Sequence, residues 1–176
     1  MKSLKTLPDY LAPNLDIVFV GINPGEYSAR VGHYFARKQN GFWDALNKSG
    51  LVPEELTSED DQRLLQFGFG LTDIAKRPSS RAAMLADREF VDGGEELKKK
   101  LEKLSPLLIC FVGLYGYRKA FNSKARLGRQ DERWGKSYLF IVPSTSPLNA
   151  RYRKNIGDWF KQLKILRDQL KGECHV

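Results

Sequence analysis

The stretch Ile17-Val18-Phe19-Val20-Gly21-Ile22-Asn23-Pro24-Gly25 leaves this chain few architectures to choose from. Residues 17–20 are β-branched or aromatic with no polar alternation, the pattern of a strand covered on both faces. Gly21, Pro24 and Gly25 then force a change of direction directly after it. A strand buried on both faces belongs to a sheet with helices on either side. Asn23 therefore stands at a carboxyl strand end, where open α/β sheets bind their ligands. Packing explains an amide between an apolar residue and a proline poorly. The competing explanation is an Asx-type turn in which the amide only satisfies backbone groups.

The rest of the chain repeats this unit. Residues 67–74, 107–112 and 137–142 read as further strands, and the first of them delivers Thr72 and Asp73 to a second strand end. Between them lie helical patterns. Asn40 reads as the N-cap of a helix carrying Phe42, Trp43 and Leu46 and stopped by Gly50. Residues 53–65 form an acid-rich helical stretch with a solvated face. Residues 88–104 place Phe90, Leu97, Leu101 and Leu104 at helical spacing, and Gly93-Gly94 predicts close packing there. Residues 113–121 follow the third strand as a helix, and 154–170 bury Ile156, Trp159, Phe160, Leu163, Leu166 and Leu170. Residues 76–87 are a polar loop that either overlies a site or crosses the surface, and 122–136 are expected to be irregular and mobile. Strands alternating with helices imply an α/β fold: a single domain over 1–176, built as a three-layer α/β/α sandwich around a mainly parallel sheet. Residues 1–15 serve as a leader with no assigned function, and 171–176 as a tail.

Charge narrows the partners. Lys and Arg number 29 against 21 Asp and Glu, a net charge of +8. That balance favours a polyanion such as nucleic acid, and a merely soluble basic protein competes on charge alone. Residues 26–39 read as a loop of little periodicity that mixes Tyr27, Tyr34 and Phe35 with Arg30, Arg37 and Lys38, a composition suited to stacking on a base and holding phosphates. Cys110 and Cys174 are too few to ligate an iron–sulfur cluster, and His33 and His175 offer little to zinc. No run approaches a bilayer span, which predicts a cytoplasmic location, or a nuclear one in a eukaryote.

Five motifs then carry a resemblance: Gly21-Ile22-Asn23-Pro24-Gly25, Gly32-His33-Tyr34-Phe35-Ala36-Arg37, Asn40-Gly41-Phe42-Trp43, Gly70-Leu71-Thr72-Asp73 and Val142-Pro143-Ser144-Thr145-Ser146. In this order, over roughly residues 16–170, they closely resemble the mismatch-specific uracil-DNA and thymine-DNA glycosylases. The resemblance implies a monomeric, cofactor-free enzyme acting on double-stranded DNA with a mismatched or damaged base, with no membrane partner. It implies that Asn23 positions the attacking water and that the backbone around Ile22 and Phe35 contacts the base. Gly25 and Tyr34 complete the base site, the Phe35 ring lies against the flipped base, and Ser28 sits beside its 5-position. Ser144 and Arg151 are implied phosphate contacts, and Leu148, next to Pro147, is the implied wedge. A loop leucine tucked into the core is the alternative for Leu148.

Asp73 departs from the resemblance, because relatives often carry an amide or a lysine there. Its carboxylate suits a general base or a base-reading acceptor, and equally a cap on the following turn. Releasing a base from deoxyribose requires an extruded base, stabilised charge and a placed water; neither a metal nor a strong nucleophile is needed. Two other readings stay open: a catalytically silent DNA-binding module, and a nucleotide-binding α/β protein using the Gly21–Gly25 turn. The turn has neither phosphate-loop spacing.

Overall fold

Four of the five strands are short, largely apolar runs buried on both faces, with alternate residues entering opposite cores. The computed structural model describes residues 4–152 and 155–173. Strands β1 (Ile17–Gly21), β2 (Phe69–Asp73), β3 (Leu108–Val112), β4 (Gly128–Trp134) and β5 (Ser137–Val142) form one five-stranded sheet in the order β2-β1-β3-β5-β4. All pairings are parallel except β4 with β5. Ile17, Phe19, Leu108 and Cys110 enter one core with Phe42 and Phe160. Val18, Val20, Ile109 and Phe111 enter the other with Leu97 and Tyr117. Helices α2 (Phe42–Ser49) and α5 (Ile156–Glu173) cover the first face, and α3 (Asp87–Leu104) and α4 (Leu114–Ala120) the second. The uninterrupted hydrophobicity of 17–20 thus follows from helices on both sides.

β1 lies between β2 and β3, so the chain leaves it toward one side and later returns to the other. Such a switch point opens a crevice at the carboxyl strand ends. The helical glycines make room for the same region. A Cβ on Gly93 would collide with the Ile74 carbonyl, and one on Gly94 would lie 2.9 Å from the Phe121 ring, which is the close packing expected of that pair.

Several elements differ from expectation. Residues 26–31 form a helix, α1 (Glu26–Val31), closed by left-handed Gly32. With only Ser28 buried it has no apolar stripe to read. The 53–65 stretch is instead a 3-10 helix at Ser58–Phe67, capped by Thr57. Asn40 supplies the capping bond to Phe42 N (3.0 Å), although Gly41 holds the N-cap position. Residues 122–136, expected to be irregular, contain β4. It is an edge strand, where charged side chains protect an unpaired edge, so its Arg-Gln-Asp-Glu-Arg run hides a strand from hydrophobic patterning. Trp159 is partly rather than fully buried. The leader is built in: Tyr10 bridges to Leu71, Leu7 joins the core, and Tyr34 Oη donates to Pro8 O at 2.9 Å.

Candidate active site

The carboxyl ends of β1, β2, β3 and β5 frame a cavity of about 480 Å³ that is more apolar than polar. Ile22, Asn23 and Gly25 enter it from the turn after β1, and Asp73 from the last position of β2. The turn after β1 is braced from outside the sheet. Asn23 Nδ2 donates to Arg77 O (2.9 Å), to Ser79 Oγ (2.8 Å) and more weakly to Pro24 O (3.3 Å). Two of these acceptors are carbonyls, which cannot donate, so chemistry fixes the nitrogen on that side and leaves Oδ1 as an acceptor. Half of the Asx-type reading therefore holds, because the amide does tie backbone; only its nitrogen is spent doing so.

Asp73 is not a turn cap. The amides after it are taken by the β1 side, with Ile74 N donating to Gly21 O (2.9 Å) and Ala75 N to Ile22 O (2.8 Å). Its Oδ2 is buried with no hydrogen-bond partner among the described residues. Burial, opposed by Lys76 and reinforced by Asp9, pushes its carboxyl up to about 7. Gly21 is its cross-strand partner, and a Cβ there would run into Asp73 Oδ1. A glycine at the end of β1 thus makes room for the acid at the end of β2. Beneath them Asp9 accepts from Thr72 Oγ1 (2.7 Å), Lys100 Nζ (2.7 Å) and Lys76 Nζ. Burial opposes ionisation of Asp9, but Lys100, Lys76 and Thr72 hold it below the usual carboxylate range.

The opposite wall is a strained loop. Phe35 adopts a left-handed backbone (φ 52°), which costs a residue with a side chain about 1 kcal/mol. Hydrogen bonds on either side hold it there: Tyr34 N donates to Asp61 Oδ2 (3.0 Å) and Ala36 N to Ser28 Oγ (3.1 Å). One face of the Phe35 ring stacks on Phe42 (4.1 Å, 19°), while the side chain lines the cavity. Tyr34, only 1% exposed, is a fixed wall; burial, followed by the Asp73 and Asp9 charges, raises its hydroxyl far above the ordinary range. Asp61 corrects the expectation of a solvated acid face: it is 1% exposed and also accepts from Gln62 N (2.8 Å) and His33 Nδ1 (3.2 Å). Within a run of acids, nothing in one sequence marks which of them turns inward.

Ser144, Pro147 and Leu148 form the mouth on the β5 side. Their loop braces itself, with Ser146 N donating to Ser144 Oγ (3.3 Å) and Asn149 Nδ2 to Ser144 O (3.2 Å). Leu148 is 69% exposed and is not a core residue. Arg151 falls outside the residues whose side chains are described. Residues 79–82 of the polar loop line the cavity, so that loop overlies the site. Tyr27 and Tyr115, exposed at the mouth, add aromatic surface. Among the described residues no cluster of His, Cys, Asp or Glu could hold a metal, and no helix is long and apolar enough to cross a membrane.

Comparison with known proteins agrees with this fold. The model of the uracil DNA glycosylase superfamily matches residues 8–167. The solution NMR structure of a provisionally assigned uracil DNA glycosylase from Methanosarcina acetivorans superimposes with a TM-score of 0.62 at 23% identity, covering 92% of this chain and 98% of that one. At that identity the likeness speaks for the fold.

Proposed function

The chain belongs to the uracil DNA glycosylase superfamily, and from that premise we propose that it hydrolyses the N-glycosidic bond of uracil in mismatched double-stranded DNA. The observation that carries this reading is the meeting, in one cavity, of an amide whose hydrogen bonds among the described residues all run through its nitrogen, a buried carboxyl and an aromatic ring stacked on Phe42. The base leaves the duplex and enters between Phe35 and the β1 turn, paying a few kcal/mol for unstacking. Backbone groups around Ile22 and Phe35, with Gly25, Tyr34 and Ser28, bound its edge.

Asn23 Oδ1 accepts a hydrogen bond from water and aims its oxygen at C1′ of the sugar. The new C1′–O bond forms as the C1′–N1 pair departs with the base, which leaves as a delocalised anion. In its ionised form Asp73 takes the proton released by that water; protonated, it offers a donor to a base carbonyl. Leu148 fills the gap left in the stack, and Ser144 and Arg151 hold flanking phosphates.

The test uses a labelled duplex with one central G·U pair, treated with alkali after incubation to cut abasic sites. G·T and hypoxanthine duplexes run beside it. Strand cleavage with the G·U duplex that is lost in Asn23→Ala supports the reading. Binding without cleavage of any of the three would make the protein a silent DNA-binding module.

A further inference from the structure

We infer that Ser79 is a positioning residue that fixes the Asn23 amide for the reaction; the inference rests on the water-placing role proposed for Asn23. The torsion that turns an asparagine amide is broad and roughly two-fold, so the direction of Oδ1 has to be set by partners. The two shorter of its three bonds dominate here. The Asn23 nitrogen carries two hydrogens, for which Arg77 O (2.9 Å) and Ser79 Oγ (2.8 Å) are the near acceptors and Pro24 O (3.3 Å) the weaker third.

Ser79 is suited to this by chemistry and by place. Its hydroxyl accepts from Asn23 and donates to Arg81 O at 2.8 Å, a two-way bond that a hydroxyl can complete and a methyl cannot. It is 4% exposed in a loop whose neighbours Ser80 and Arg81 are exposed. Its backbone is bound to the turn it serves: Ser79 N donates to Pro24 O (3.1 Å), and Ser79 bridges to Gly25. The loop is itself anchored to α3. Arg77 makes a two-pronged pair with Glu89 (2.7 and 2.9 Å) and donates to Met84 O (3.0 Å), while Ala86 N donates to Glu89 (2.8 Å). Arg77 thus presents its carbonyl to Asn23 from a fixed backbone, and Ser79 supplies the second point that stops the amide from turning.

The experiment compares wild type, Ser79→Ala and Ser79→Thr, each with Asn23 intact and in an Asn23→Ala background. It reads single-turnover base release from the G·U duplex, duplex affinity and thermal midpoint. Ser79→Ala should slow release about 10- to 100-fold, the scale of a misplacement near 1 Å. Duplex affinity should stay within about twofold, and Ser79→Thr should recover most of the rate. In the Asn23→Ala background Ser79→Ala should have no further effect. A wild-type rate for Ser79→Ala would overturn the proposal. So would an equal fall in both backgrounds, or a fall tracking lost thermal stability that threonine does not restore.

A readout independent of catalysis separates this proposal from the function it rests on. The side-chain amide protons of Asn23, followed by NMR, should exchange slowly in wild type and Ser79→Thr and quickly in Ser79→Ala. Unchanged exchange in Ser79→Ala would refute the positioning role even in an active enzyme. Slow wild-type exchange with no base released from any duplex would refute the proposed function alone.

Discussion

Replacing Asp73 by asparagine should make the protein more stable at neutral pH and do so progressively as pH rises. In the native state burial pushes this carboxyl up from 3.8 to about 7, so the folded protein keeps a proton that the unfolded chain has given up. A raised folded-state value contributes stability that is complete below the unfolded value and is lost as pH rises through the folded one. The full displacement corresponds to about 4 kcal/mol, equivalent to about 10 °C in melting temperature for a chain of this size. Asparagine has nearly the same shape and does not titrate in this window. The unmet hydrogen bonds of its own amide weigh equally at every pH, so only the pH dependence of the difference is diagnostic. Neighbouring groups do not confuse it: Asp9 is held below the ordinary carboxylate range, and Tyr34 is held neutral. Melting curves of both proteins at half-unit steps from pH 4 to pH 8.5 should show Asp73→Asn gaining on wild type through the window and levelling off above it. A difference constant with pH would mean that Asp73 is charged in the fold throughout, and the account of its burial would be wrong.

Other substitutions test the remaining parts of the site. Asn23→Ala should keep duplex binding and fold while cutting single-turnover release by at least about 100-fold, as loss of a catalytic positioning group does; wild-type release would remove Asn23 from the mechanism. Leu148→Ala should leave the melting temperature within about 1 °C, because the side chain is 69% exposed, yet slow excision from duplex more than from single strands. A lost fold with unchanged excision would reverse that assignment. Ser28→Ala removes the acceptor of Ala36 N and leaves a backbone donor unmet beside the strained Phe35, a cost of about 1–3 kcal/mol. Hydrogen exchange at Ala36 should quicken, and base affinity should fall with it; protection equal to wild type would show that Asp61 alone holds the loop.

The parts of this molecule legible in its sequence are those in which one physical term dominates locally. β1, β2, β3 and β5 are runs buried on both faces, and the Gly21–Gly25 turn can only follow a strand, so the sheet and the position of Asn23 could be read directly. β4 could not, because an edge strand is selected for charge and hides its pairing from any hydrophobic pattern. Helix α1 offered no stripe, since its single buried residue is a serine. In the site, Asn23 and Asp73 stood out as polar groups at strand ends. Asp61, Ser79 and Asp9 did not: each acts through a partner distant along the chain, Tyr34, Asn23 and Lys100 respectively, and composition carries no trace of such pairings.

The sheet order also dictates when during folding the cavity can exist. Each parallel pairing joins strands separated by a full helical crossover, and β3 closes against β1 only after the β2 excursion has been made. Contacts of that range form slowly, because loop closure precedes any return from burial. Asn23 is synthesised more than a hundred residues before Ser144 and Leu148. The amide, the acid and the wedge therefore come into register only with the last strand in place, and a nascent chain carrying the first two has no mouth with which to grip a duplex.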